Sequence, residues 1–304
     1  MIETIVTAMR MPAGGFMSAL AVPIGADGAK RMVGPFVLVA HSLPTVLEPG
    51  ALDPSEDVRP HPHIGIATLT YLFDGRITHR DSLCHCREIE PGAVNWMVAG
   101  RGIVHSERYT AVRRDGGPMH GLQIWVAMPD GREDDPPSFF HHPAASIPAF
   151  EGPGVTGRLV AGSAVGLMAP AAGFGPMFLA DVRLEAGARW AVPDGFAERA
   201  VHVLSGAIET GGRRIEAGQT AIFSRGGGIV LGATEAAHLL AFGGEPVGPR
   251  WWWWNFVASS RERIEAAKAD WRAGRMPLPP DDAEDFTPAP ADAARPLVEL
   301  RPGG

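Results

Sequence analysis

Short apolar runs, each closed by a turn signal, recur along most of this chain. Val33 to Ala40 has the composition of a buried strand and ends at His41-Ser42-Leu43-Pro44. Ala67 to Phe73, ATLTYLF, is rich in the residues that favour a pleated surface, and Asp74-Gly75 turns the chain before Arg76 to His79. Ile89-Glu90-Pro91-Gly92 supplies another turn, Ala93 to Val98 resumes an apolar strand, and Met119 to Met128 reads as the last strand of a first barrel. Alternation in that strand sends His120 and Gln123 to opposite faces, so at most one of them lines a cavity.

The pattern then repeats. YLFDGRI at 71 to 77 is echoed by HVLSGAI at 202 to 208, and EIEPGAV at 88 to 94 by RIEAGQT at 214 to 220, which predicts a duplicated barrel. Between the copies, residues 136 to 150 lie in a proline-rich, acidic composition shift expected to be the linker, with His141 and His142 facing solvent. The predicted organisation is a first barrel over 1–135, a second over 151–250, and a tail over 251–304. Trp251 to Trp254 open that tail, Ser259 and Glu262 have capping-box spacing, and Ile264, Ala267 and Trp271 share a helical stripe. A helix of about fourteen residues ending near Gly274 is expected, with the tryptophans clamping it against the barrels and an extended segment after Pro277. For the first thirty residues a hairpin is predicted, because Glu3, Arg10 and Pro12-Ala13-Gly14-Gly15 interrupt what would otherwise resemble a signal-peptide core.

Composition agrees with an all-β chain: 38 glycines and 28 prolines suit short strands and many turns. A net charge of -7 offers no basic field to exchange for counterions, which argues against direct nucleic-acid binding. No stretch approaches the roughly twenty apolar residues of a membrane span. Two cysteines, Cys84 and Cys86, make no disulfide framework and suit a cytoplasmic protein. The C-H-C tripeptide around His85 invites a second metal, but soft sites normally use C-x-x-C, and a loop after a strand is expected.

The candidate chemistry sits between Arg59 and Arg108, where HPH places His61 and His63 two apart and HSE does the same for His105 and Glu107. On strands, each pair shares a face. If the two strands are neighbours, three imidazoles and a carboxylate converge into a metal site suited to Fe, Mn, Ni, Cu or Zn rather than to the oxygen-ligated Ca or Mg. Gly100 and Gly102 would let the backbone turn sharply before the second pair. His41 lacks a partner at i+2 and is expected to be a hydrogen-bonded histidine rather than a fifth ligand. In the second copy, Val192 and Asp194 stand where His61 and His63 stood, and no H-x-E follows Gly218. Glu198 and His202 remain, too few for a site, so that barrel is expected to be metal-free.

HPHIGIATLTYLFDG (61–75), HRDSL (79–83), PGAVNWMVAGRGIVHSE (91–107) and HGLQIWV (120–126), with VGPF at 33–36, resemble the pirins, two-barrel members of the cupin superfamily. The tail WWNFVASSRERIEAAKADW (253–271) is similar to that of bacterial pirin-like proteins. The resemblance implies two tandem jelly-roll barrels with a short C-terminal helix and a mononuclear Fe(II) held by His61, His63, His105 and Glu107. It also implies that some members are flavonol (quercetin-type) dioxygenases and others transcriptional co-regulators; the expected function is such a dioxygenase, with a small aromatic substrate and dioxygen as partners and Glu107 as ligand and base, and the alternative is a metal- or redox-responsive regulatory protein with a protein partner. Two positions depart from the family pattern: Ile64 replaces an Arg, and Ala67 replaces a Glu that related oxygenases can use as ligand or base.

Overall fold

The computed structural model of the chain describes residues 1–8, 19–21 and 31–303. Most of it is antiparallel β-structure, as the alternation predicts. In the first barrel one sheet runs in the order Ser138–His142, Val94–Val98, Ile66–Asp74, Gly117–Ala127, Phe36–Leu47, Ala19–Ala21. A second runs Val58–His63, Ile103–Arg108, Ile77–Asp81, Cys86–Ile89. Leu72 and Met119 of the first pack on Ile77 and Ile89 of the second and close the barrel.

Period-two geometry divides the residues of Ile66–Asp74 between two environments. Ala67, Leu69 and Tyr71 join Leu179, Leu240 and Phe242 in a core between the barrels. Thr70 points the other way, into the first barrel, where it meets Glu107 and Gln123.

The second barrel repeats the plan. Its larger sheet contains, in order, Ile2–Thr7, Gln219–Phe223, Glu198–Ser205, Ala237–Gly244, Met177–Leu184, Val155–Ala164 and Ala149–Gly152. The smaller one runs Arg189–Val192, Ile229–Ala233, Ala207–Thr210, Arg213–Glu216. Val201, Val203, Ile208, Ile215 and Leu231 pack together in its interior. The aligned turn glycines behave alike: Gly75 has φ 87° and Gly206 φ 72°, and a Cβ on Gly206 would lie 2.1 Å from a carbonyl oxygen.

Three expected segments fall elsewhere. Ile2–Thr7 pairs with Gln219–Phe223 and Ala19–Ala21 with Phe36–Leu47, so the two strands described near the N-terminus do not form a hairpin with each other. Residues 9–18 and 22–30 of that expectation lie outside the described residues. Ser138–His142, assigned to the linker, is instead an edge strand on Val94–Val98, and His141 bonds Asn95 at 2.8 Å rather than facing open solvent. Proline richness on either side hid five residues that the ladder could still use.

In the tail, Arg250–Trp253 pairs with Phe256–Ala258 and with Val298–Leu300. The helix spans Arg261–Arg272 and is capped by Ser260, whose side chain accepts from the Arg263 amide; Ser259, the expected cap, donates to Glu133. Gly274 follows with φ 68°. Trp253, Phe256, Ile264 and Trp271 pack on Ile64 and Val104, residues of the two strands that carry the histidines or adjoin them. Among the described residues no helix is long and apolar enough to cross a membrane.

Candidate metal centre

Val58–His63 and Ile103–Arg108 are antiparallel neighbours with His61 opposite His105. The i+2 spacing in each strand then brings the rings into one place, as expected. His61 Nε2 lies 3.0 Å from His63 Nε2, which lies 3.1 Å from His105 Nε2. All three side chains are buried. Gly100 helps to set up the second strand: its φ is 52°, and a Cβ there would meet the Asp135 carbonyl oxygen at 2.0 Å.

The outer nitrogens decide the tautomers. His61 Nδ1 is 2.9 Å from the Arg59 carbonyl oxygen and His63 Nδ1 3.0 Å from that of Asn255. A carbonyl only accepts, so each Nδ1 carries the proton and each Nε2 presents a lone pair. For His105 the same result arrives through a relay. Asp81 accepts from His79 Nε2 at 3.0 Å, which leaves His79 Nδ1 as an acceptor facing His105 Nδ1 at 3.5 Å. Three lone pairs therefore point at one another. Protonating a ring to relieve them is opposed by burial, which lowers His61 to about 4 and holds His63 and His105 well below the usual imidazole range. A cation accepting all three Nε2 atoms satisfies the arrangement, and the outer hydrogen bonds to carbonyls and to a carboxylate-backed imidazole are those that orient histidine ligands.

The donor atoms lying within 4.8 Å of one another belong to His61, His63 and His105. Glu107 shares their face and is buried, and its carboxylate accepts from Thr70 Oγ1 at 3.2 Å. Burial raises its pKa to about 7, against the lowering effect of hydrogen bonds from Thr70 and Gln123. The space beside it, about 20 Å³, is lined by Thr70, Leu72, Tyr109, Met119 and Gln123 among others.

The remaining candidates sort by face. Gln123 lines this cavity, whereas His120 bonds His41 Nε2 to Nε2 at 2.9 Å, away from the metal cluster. His41 is thus hydrogen-bonded rather than a fifth ligand. Cys84 and Cys86 are exposed and free, and His85 contacts Asp81 at 3.1 Å, which fits a loop. Glu198 takes the Gly34 amide at 2.7 Å and His202 meets Thr220 at 2.9 Å. Their strand neighbours Ala200 and Leu204 belong to the core between the barrels, whereas Val201 and Val203 face the second barrel's interior, so the pair points away from that cavity. Ala67 also lies in the interbarrel core, on the face opposite Thr70, and a carboxylate placed there would not extend toward the histidines.

Several contributors carry no local signal. Asn255 and the tail reach the site from far along the chain: Asp282 accepts from Ser106 Oγ at 2.6 Å and from Arg108 Nε and Nη2 at 2.7 and 2.6 Å, and the Thr287 amide donates to Pro60 O at 2.8 Å. These contacts brace residues on both sides of Glu107 and the one before His61. His79 stands in the HRDSL stretch, which marks it as notable without revealing its role; Phe139 of the edge strand stacks on its ring at 4.3 Å.

Two family models match the chain: Pirin over residues 19–126 and Pirin C-terminal cupin domain over 179–277. A pirin-like protein of Caulobacter vibrioides is 46% identical over 291 residues, covering 95% of this chain and all of its own length. Two crystal structures of quercetin 2,3-dioxygenase from Acinetobacter baumannii superpose with TM-scores of 0.84 and 0.82. Their identities are 28% and 27%; the first covers 95% of each chain, the second 91% of this one and 98% of its own.

Proposed function

This chain belongs to the pirin family, and from that premise we propose that it is a metal-dependent dioxygenase, with Fe(II) in the first barrel and a flavonol-like substrate. The observation that carries the proposal is the convergence of three unprotonated Nε2 atoms on buried side chains. His61, His63 and His105 would hold the ion, with Glu107 as the fourth ligand. Mn, Ni, Cu and Zn fit the same donors by type. When bound, such an ion supplies positions open to an enolisable hydroxyl and to dioxygen.

Glu107 does the work assigned to the protein. Its buried carboxylate, held by Thr70 on the face that carries His105, is the group placed to take a proton from a substrate hydroxyl. Thr70 holds its position by donating to it, and Thr70 is itself tied to Gln123 at 2.7 Å. Trp125, edge-on to His63 at 5.1 Å, helps to keep water from the rings. A flavonol is far larger than the 20 Å³ beside Glu107, so its entry requires side chains such as Met119 to move; methionine is the residue best able to do so. Exposed, unpaired Cys84 and Cys86 support a reducing, cytoplasmic setting.

The small size of that space favours a second reading, a metal- or redox-responsive binding protein without turnover. Anaerobic purification, metal analysis and oxygen uptake with flavonols separate the two. Oxygen consumption that scales with iron content is the expected result; full iron loading with no uptake for any flavonol would move the assignment to the regulatory protein.

A further inference from the structure

A cavity of about 610 Å³ opens between the barrels, within the size range of sites for small organic ligands. It stands on the opposite face of Ile66–Asp74 from the metal cluster, with Tyr71 and Phe73 on one wall. Phe150 forms part of the other, fixed in place: it stacks on Trp190, and Gly157 leaves the space its ring occupies, since a Cβ there would lie 2.3 Å from the ring. The aromatic walls are therefore preformed.

Polar groups of the second barrel line the same cavity. Asp181 is already satisfied, accepting from Tyr71 Oη at 3.0 Å and from His238 Nε2 at 2.6 Å. With Nε2–H committed, His238 Nδ1 is an acceptor and takes one N–H of Arg183 at 3.4 Å. Arg158 donates one N–H to the Ala144 carbonyl at 3.2 Å. Neither guanidinium lies within ion-pair distance of a carboxylate among the described residues, and each has further donors to offer. Arg158 is opposite Asp181 and Thr156 opposite Arg183, so the two arginines are diagonal neighbours on one face, with backbones about 7–8 Å apart. A single carboxylate can bridge that distance between two long side chains. The charges set against them are Asp181, opposite Arg158 and held by Tyr71 and His238, and Glu151, exposed at the rim.

We propose that this cleft is a second small-molecule site, taking a flat aromatic anion whose ring lies between Phe73 and Phe150 and whose carboxylate bridges Arg158 and Arg183. Two planar guanidiniums recognise a planar anion by parallel N–H···O bonds, and the rings supply the apolar contact. The site is independent of the metal centre and of whether the protein turns over a substrate there.

The test is a fluorescence titration of the metal-loaded full-length protein with 2-naphthoate. Saturable one-to-one binding is expected, weakened about tenfold or more by Arg158→Gln with Arg183→Gln and by replacing the probe with neutral 2-naphthamide. The metal-free His61→Ala, His63→Ala protein should bind it as tightly as wild type. Each arginine side chain is at least partly exposed, so melting temperatures should barely change; if the double variant folds poorly, the single variants are titrated instead. Absence of saturable binding, unchanged affinity in the arginine variants, or loss of binding with the two histidines would each overturn the proposal.

Discussion

The two barrels share a strand plan and a turn glycine at matching places, yet their interiors are opposites. The first holds His61, His63, His105, Thr70, Gln123 and Glu107; the second packs Val201, Val203, Ile208, Ile215 and Leu231. Hydrocarbon at the second set of positions fills its barrel without outside help. Buried imidazoles and a carboxylate are stable only when each polar atom has a partner, and in the first barrel those partners come from the Asn255 carbonyl, the His79–Asp81 pair and, on our reading, a metal ion. The backbone scaffold is indifferent to chemistry. Side-chain identity on two adjacent strands, supported from outside, separates a site from a plug.

The comparison breaks most severely if the first barrel loses its cover. Removing residues from Trp251 onward strips Trp253, Phe256, Ile264 and Trp271 from Ile64 and Val104. Each such burial contributes roughly 1.5–3 kcal/mol, against a total stability of about 5–15 kcal/mol. Aggregation or a collapsed melting temperature is expected; a truncated protein that stays monomeric and melts normally would make the tail an appendage.

Metal content tests the contrast in interiors directly. Close to one ion per chain is expected in the wild type and almost none after His61→Ala with His63→Ala, measured by elemental analysis. Two tightly held ions per chain would mean that the second barrel, or another site, also binds.

Within the first barrel, Glu107→Gln separates holding the ion from using it. Three imidazoles remain, so metal should still bind, more weakly, while oxygen uptake with a flavonol drops about a hundredfold or more at matched iron content, as for loss of a general base. Comparable turnover would remove Glu107 from the proton transfer.

A smaller effect should follow from Asp282→Ala, which releases Ser106 and Arg108 on either side of Glu107. Affinity for Ni(II), measured by competition with a chelator, is expected to fall about tenfold, as for other groups that hold metal ligands in place. An unchanged affinity would confine this tail contact to stability.

The mildest test is pH. Burial raises the Glu107 pKa above the ordinary carboxyl value, to about 7, so its proton competes with the metal below that pH and ceases to compete above it. His61, lowered to about 4, is already neutral throughout this range. Metal affinity should therefore rise by at most about tenfold from pH 6 to 7 and flatten above, and Glu107→Gln should abolish the slope. A steep dependence persisting in that variant would assign the titration to another group.

Much of this arrangement was legible without coordinates. The doubled pattern, the strands around the turn glycines and the tail helix all rest on local period and turn chemistry. The histidine cluster rests on i+2 spacing in two strands, which leaves only their adjacency to be supplied. Parity also limited His120 and Gln123 to opposite faces, although it could not say which faced the cavity. Misplaced expectations involve pairing at long range: Ile2–Thr7 completes the distant barrel, and Ser138–His142 joins a ladder despite its proline-rich surroundings.

The sequence by itself therefore determined which three histidines gather and that a second, dissimilar barrel accompanies them, because strand periodicity is a property of consecutive residues. Tertiary structure alone decided that Ala67 and the Glu198, His202 pair face the seam between the barrels, and that Thr70 holds the Glu107 carboxylate. It also brought Asn255 and Asp282 back onto the ligand strands and opened the cleft beside Arg158 and Arg183. Such contacts join residues tens to hundreds of positions apart, and no local pattern encodes which face of a strand will meet which partner once the sheets have packed.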